Sequence, residues 1–226
     1  MAMLLNCCSV RNKDHILYDL IVDNSIDILF LTETWLKQYE TASIEAFLPE
    51  SHNFFSFPRE EKRGGGVGAA ISKSFMFAKS INRKFCSFEC MELNLTDETK
   101  KFSTYIIYRP PQSSTTSAFI EEFGSFVTEA EMASDKVLYV GDFNVWWGEN
   151  SDSKAVEMRK ILDAHHLKNL VNVPTHRSEN ILDLVTTKEN STLVSDVIIE
   201  AVETISNHKA ISFKVGLHNN ERIEKK

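Results

Sequence analysis

The chain has few cysteines: Cys7, Cys8, Cys86 and Cys90 are the only four in 226 residues, and no two are spaced Cys-x-x-Cys. This spacing suggests neither a zinc site nor a disulfide framework, and a reducing compartment is the default. No apolar run reaches the roughly 18 residues that cross a bilayer. The first residues, Met-Ala-Met-Leu-Leu-Asn, lack the basic and apolar regions of a signal peptide. A soluble, intracellular protein, nuclear or cytoplasmic and monomeric, is the expectation. Positive charge is also short, with 25 Lys and Arg against 32 Asp and Glu for a net charge of −7. Phosphate binding is mainly electrostatic, so this balance excludes a protein that coats nucleic acid without specificity. It leaves room for a local cationic rim, and cations do gather at Arg11 and Lys13, at Arg59, Lys62 and Arg63, and at Arg109 and Arg177. No Gly-x-Ser-x-Gly elbow occurs, which argues against a serine hydrolase of that type. The glycine run from Arg63 to Gly68 is not followed by Gly-Lys-Ser/Thr. It reads as a turn into a strand rather than a phosphate-binding loop.

What is present is ordinary for a globular domain, at 42% hydrophobic and 25% charged. The length suits one α/β domain over residues 1–216, with a polar tail or linker start at 217–226. Apolar runs at 4–5, 26–31, 54–57, 67–71, 85–95, 102–108, 137–140, 181–186, 194–199 and 210–215 read as strands. Helical spacing of apolar residues marks 14–24, 117–133 and 155–166; in the second, Phe119, Ile120, Phe123, Phe126, Val127 and Ala130 share one face. Residues 41–50 read as surface connection. Strands alternating with amphipathic stretches give an α/β fold.

Three apolar strands run directly into polar residues: 28–31 into Thr32-Glu33, 105–107 into Tyr108-Arg109, and 137–140 into Gly141-Asp142-Phe143-Asn144. Buried strands fix positions, and α/β sites assemble at their carboxyl ends. In an extended Asp-Phe-Asn the two polar side chains face one side, with Phe143 turned to the core. Asp142 is then placed to take a proton from water and Asn144 to hold water or a phosphate oxygen. Glu33 is a hard oxygen ligand suited to Mg²⁺. Trp146-Trp147, just beyond, suits either core packing or stacking on a nucleobase.

Asn6, Glu33 in Leu-Thr-Glu-Thr-Trp, Tyr108 in Tyr-Arg-Pro-Pro, Gly-Asp142-Phe-Asn144, Leu-Asp183-Leu and Ser206-Asn207-His208 stand in this order along the chain. The set resembles the endonuclease/exonuclease/phosphatase superfamily, and most closely the apurinic-type endonuclease domain of non-LTR, LINE-like retrotransposons. Val-Pro-Thr175-His-Arg177 before Leu-Asp-Leu-Val adds to the likeness, which spans roughly Leu4 to Val215. The resemblance implies two packed mixed β-sheets flanked by helices, a four-layer α/β sandwich with the site at one end. It implies a Mg²⁺-dependent hydrolase, with Mn²⁺ as an alternative, that nicks DNA and leaves 3′-hydroxyl and 5′-phosphate ends. Tyr108, Asp142, Asn144, Asp183 and His208 would be catalytic. Glu33, Asn6 and Asn207 would hold the metal; Arg109, Thr175, Ser206 and Arg11 would meet DNA or phosphate. A reverse-transcriptase module in a longer polyprotein would be the partner. The family pattern at the last motif is Ser-Asp-His, so the uncharged Asn207 implies weaker metal binding and reduced activity. A decayed remnant that only binds nucleic acid or protein, and a same-fold phosphodiesterase with another substrate, stay open as alternatives.

Overall fold

A computed structural model describes residues 1–59, 63–75, 80–97, 100–111, 116–148, 153–202 and 205–216. Lys62 and the tail expected at 217–226 lie outside them. The elements in chain order are Ala2–Asn6 (β1), Asp14–Asp23 (α1), Ile28–Thr32 (β2), Thr41–Phe47 (α2), His52–Phe57 (β3) and Val67–Ser72 (β4). Then follow Ser80–Lys84 (β5), Glu89–Asp97 (β6), Lys100–Tyr108 (β7), Thr116–Ala133 (α3), Val137–Asp142 (β8), Ser153–Ala164 (α4) and Leu167–Asn169 (β9). Asp183–Lys188 (β10), Val194–Glu200 (β11) and Ala210–Val215 (β12) complete the fold.

The strands form two six-stranded sheets, ordered β11-β12-β1-β2-β4-β3 and β5-β6-β7-β8-β10-β9. Both are mixed: β1 pairs β2 in parallel and β12 antiparallel, while β8 pairs β7 in parallel and β10 antiparallel. Strand periodicity explains the layers. Ala2 and Leu4, with Ile28 and Phe30, join β6, β7 and β8 residues in one core between the sheets. The alternate residues Met3, Leu5, Leu29 and Leu31 form a second core with Leu17 and Ile21 of α1 and Phe47 of α2. A strand buried on both faces reads as a continuous apolar run, which is why these segments lack polar alternation. Helices α3 and α4 cover the far face of the second sheet, giving the four-layer sandwich that the resemblance implied.

Helix α3 forms because apolar residues recur every three or four positions and pack on aromatic partners. The Phe126 ring lies 5.1 Å from Tyr105 and 6.0 Å from Tyr139, both edge-on. Truncating so buried an aromatic costs about 3–5 kcal/mol, so Phe126→Ala would loosen α3 first.

Three expectations are corrected. The strand expected at 85–95 starts only at Glu89, because residues 85–88 form a turn held by the Glu122 carboxylate, which accepts from the backbone nitrogens of Cys86 and Ser87. Edge strand β5 precedes it, too polar and alternately exposed to announce itself. The surface connection expected at 41–50 contains helix α2, and its Phe47 is fully buried against the Phe54 ring at 5.3 Å. The strand expected at 181–186 begins at Asp183, since Ile181 and Leu182 give their carbonyls to the loop after β8 instead. The glycine run is a turn as read, with φ of +82, +70 and +84° at Gly64, Gly65 and Gly66.

Candidate active site

Strand register brings the first three site residues into line. Tyr108 on β7 pairs with Asp142 on β8, and Asp142 pairs with Asp183 on β10. Paired residues on neighbouring strands share a face, so the phenol and both carboxyls stand in one row. Gly141 permits this row. Its φ is +147°, and a Cβ there would lie 1.8 Å from the Ile107 carbonyl oxygen. From the opposite sheet, Asn6 at the end of β1 reaches across the sandwich.

The Asn6 amide ties the two sheets together. Its Nδ2 donates to Asp142 Oδ2 at 2.9 Å and to Glu33 Oε1 at 3.2 Å, while its Oδ1 accepts from the Cys8 backbone nitrogen at 3.1 Å. Glu33 takes a second bond from Trp35 Nε1 at 3.0 Å. Asp142 is otherwise held by Asn144, whose backbone nitrogen donates to Oδ1 at 2.9 Å and whose Nδ2 donates to Oδ2 at 3.0 Å. His208 Nδ1 lies 2.7 Å from Asp183 Oδ2. Its Nε2 stands 3.4 Å from Asn6 Nδ2, a contact between donors once the ring is charged. Non-glycine residues with left-handed backbone crowd here, among them Cys8, Glu33, Trp35 and Asn144. Strain of about 1–3 kcal/mol at each such residue persists only where the surroundings over-determine it, as at functional sites.

Burial sets the electrostatics. Desolvation pushes the Asp142 carboxyl far above the usual carboxylate range, and the neighbouring Asp183 charge pushes the same way. Burial alone would lower His208, but Asp183 first, then Asp142 and Glu33, hold its imidazolium up to about 9. The Tyr108 phenol is raised by burial and by Glu33 and Asp142, so it stays protonated and can donate.

Asn6, Glu33, Tyr108, Asp142, Asn144, Asp183 and His208 therefore meet in one volume, with Asn6 reaching Glu33, Asp142 and His208 across 27, 136 and 202 positions of sequence. Four other sequence assignments change. Arg109 is 1% exposed; its guanidinium donates to the Asn144 carbonyl at 3.1 Å and lies 4.8 Å from the Phe119 ring. It braces the Asp142–Asn144 loop and cannot line a DNA groove. Thr175 is fully buried, and its hydroxyl accepts from the backbone nitrogens of Leu182 and Asp183 at 3.0 and 3.1 Å. It fixes Asp183 and is not a DNA contact. Arg11 is exposed but engaged by both oxygens of Glu40, at 3.1 and 2.8 Å. Asn207 faces His176, with Nδ2 and Nε2 2.7 Å apart, and not Glu33. Ser206 Oγ accepts from the His208 backbone nitrogen at 3.1 Å, shaping the turn that presents the ring.

Sequence reasoning gave Glu89 and His176 no role and Arg59 only a place in a cationic rim. Glu89 opens β6 beside Tyr108, pairs with Arg59, and accepts from the Gly66 nitrogen at 2.6 Å. Its signal was a lone carboxylate inside the apolar run Phe88-Glu89-Cys90-Met91. Arg59 lies 5.5 Å from the Tyr108 ring, and the His176 ring lies 4.7 Å from that of His208.

The donor set suits a hard divalent cation. Glu33, Asp142 and Asp183 are carboxylates converging in a buried volume, and Asp183 Oδ1 is buried without a hydrogen-bond partner. Ligand atoms of Asp142, Asp183 and His208 lie within 4.8 Å of one another. Because His208 is already bonded to Asp183 and charged, we read that trio as an ion cluster and Glu33 as the better ligand. Asn6 turns its nitrogen to the carboxylates, so it organises them rather than ligating through oxygen.

The two mixed six-stranded sheets thus carry this cluster at the ends of β1, β2, β7, β8 and β10. Residues 102–212 match the family model described as endonuclease-reverse transcriptase. The fold is similar to the endonuclease domain of TRAS1, a telomere-specific non-LTR retrotransposon, at 14% identity over 96% of this chain and 99% of that one, with a TM-score of 0.72. It is also similar to the AP endonuclease LMAP of Leishmania major, at 12% identity over 93% and 85%, TM-score 0.75. A third likeness is the 3′ phosphatase NExo from Neisseria, solved with product DNA hairpin, at 15% identity over 95% and 98%, TM-score 0.66. Among curated proteins, none matches the sequence. The fold is of the endonuclease/exonuclease/phosphatase type, as the ordered motifs implied. Among the described residues, no helix is long and apolar enough to cross a membrane.

Proposed function

We propose that the chain is a Mg²⁺-dependent phosphodiesterase that nicks DNA. The observation that carries this reading is the convergence of Glu33, Asp142, Asn144, Asp183 and His208 on one volume, at the end of a fold otherwise similar to nucleases. The family description and the TRAS1 likeness favour DNA as substrate and a reverse-transcriptase module as partner in a longer polyprotein.

The residues divide the work. Asp142 takes the proton of the attacking water; a carboxylate raised by burial is a better-matched base near neutral pH than a solvated one. Asn144 and Asn6 hold that carboxylate by three amide and backbone donors, so its geometry is set beforehand. As water's oxygen bonds to phosphorus, the P–O3′ bond breaks, leaving a 5′-phosphate and a 3′-oxygen that is protonated from solvent. His208, kept charged by Asp183, stabilises negative charge developing on the phosphate oxygens, and the neutral Tyr108 hydroxyl donates to them. Glu33 would hold the divalent ion, which when bound supplies Lewis-acid stabilisation of the phosphate and leaving oxygen.

Beside the cluster runs a groove of about 1060 Å³ lined by Arg11, Lys13, Lys37, Arg59, Arg63 and Trp35. No carboxylate lines it among the described residues, in a chain of net charge −7. Arg11 and Arg59 are paired with Glu40 and Glu89, so Lys13, Lys37 and Arg63 are the cations that this groove offers to a phosphate backbone.

Supercoiled plasmid incubated with Mg²⁺ and wild type, Glu33→Ala or His208→Ala tests the reading. Nicking by wild type, lost in both variants, is the expected result. Nicking that survives both substitutions points to another site. DNA binding with no nicking favours the competing reading, a binding-only remnant, for which the turning of Asn207 to His176 is the supporting observation.

A further inference from the structure

The loop that carries Asp142 and Asn144 also carries an exposed tryptophan that the chemistry above does not use. Burial alternates along it: Phe143 and Val145 are fully buried, Asn144 is half-buried, and Trp146 is 54% exposed. A single exposed apolar side chain is ordinary on a protein surface; what sets this indole apart is its place two residues after Asn144 on a fixed loop. The loop is pinned on both sides of it. The Phe143 nitrogen donates to the Leu182 carbonyl at 2.9 Å and the Trp147 nitrogen to the Ile181 carbonyl at 3.0 Å. Asn144 Nδ2 donates to the Arg109 carbonyl at 2.8 Å, and the Arg109 guanidinium returns a bond to the Asn144 carbonyl. Trp147 is fastened in turn by the Arg159 guanidinium, 4.6 Å from its ring. Trp146 is thus presented to solvent on a fixed backbone rather than on a loose tip.

Two residues of chain span at most about 7 Å, so the Trp146 Cα stands within that distance of the Asn144 Cα. That is the reach from a scissile phosphate to the base of an adjoining nucleotide. Every nucleobase has a π-face, and stacking on an aromatic side chain is strong and sequence-tolerant. In duplex DNA those faces are already covered by neighbouring bases, so an indole reaches one only where a base is unstacked.

We propose that Trp146 is a specificity-determining residue that stacks on one unpaired nucleobase next to the scissile phosphodiester. The site then favours strands with a locally unpaired base, single-stranded or distorted, over fully paired duplex. This inference rests on the DNA-nicking reading of the same site and narrows its substrate.

The test uses the full chain with Mg²⁺, a short mixed-sequence single-stranded oligonucleotide, the matching duplex, and that duplex with one unpaired base. Wild type should bind and cut the strands with unpaired bases better than the paired duplex, with quenching of tryptophan fluorescence on binding. Trp146→Ala should remove the preference by about fivefold or more, the loss falling on KM, and remove the quenching component. Trp146→Phe should restore most of the preference, because it restores the stacking face. Equal KM for Trp146→Ala and wild type on all three substrates would overturn the stacking role while leaving the nicking reading intact. If wild type nicks nothing, the quenching still decides: quenching lost with Trp146→Ala supports the stacking role in a binding protein, and no quenching overturns it.

Discussion

His208 Nδ1 stands 2.7 Å from one oxygen of Asp183, and the other Asp183 oxygen is buried without a hydrogen-bond partner. One carboxylate oxygen thus holds the imidazole, and the other keeps negative charge free for a cation. Asp183→Asn keeps the shape and one acceptor for the ring but removes the charge that holds the imidazolium. The His208 pKa, about 9 in the native pair, should fall, and nicking at neutral pH should drop about 10²-fold, with the remaining activity shifted to lower pH. NMR titration of the ring and a pH–rate profile check both. The same shift bears on stability. His208 is raised above its ordinary 6.5, so its contribution is fully present below that value and is lost as pH rises through about 9. Urea midpoints of the metal-free protein should fall over this window, and less steeply in Asp183→Asn.

Gly141→Ala places a methyl group 1.8 Å from the Ile107 carbonyl, where no rotamer relieves it because the obstacle is backbone. The β7–β8 pairing that aligns Tyr108 with Asp142 should be forced apart, at a cost of about 3 kcal/mol or more. Thermal unfolding of the variant, or its failure to accumulate as folded protein, reads this out.

Arg109→Lys keeps a charge but loses the planar donor fork that reaches the Asn144 carbonyl and the flat face against Phe119. A loss of about 1–3 kcal/mol in urea unfolding is expected. Nicking should suffer in kcat, because the loop bearing Asp142 and Asn144 is loosened, while DNA affinity changes little. A selective loss of affinity would restore Arg109 as a DNA contact against its burial.

Asn207→Asp adds a negative charge next to His208, beside Cys8 and His176. The Mg²⁺ concentration for half-maximal nicking should fall by up to about tenfold. An unchanged Mg²⁺ dependence would show that the neutral side chain is no handicap.

Glu33, Asp142 and Asn144 were legible because each ends an apolar run, and a buried strand cannot end in a carboxylate by chance of surface composition. Asp183 and His208 were legible only through the order of motifs, since nothing local links residues 25 positions apart. Arg109 and Thr175 were placed on the wrong side of the loop. Sequence shows a polar residue after a strand, but whether it turns outward or under the chain depends on partners such as Phe119 and Leu182, which only packing supplies. Helix α2 and strand β5 lacked a periodic apolar face, and Glu89 was hidden by the apolar residues around it.

Glu33, with Asp142, Asp183 and Asn6 around it, is the proposed seat of one divalent cation. Anomalous diffraction from crystals soaked in Mn²⁺ measures this directly. A single strong peak in contact with the Glu33 carboxylate, absent in Glu33→Ala, is expected. A peak elsewhere on the molecule, or none where Glu33, Asp142 and Asn6 converge, contradicts it.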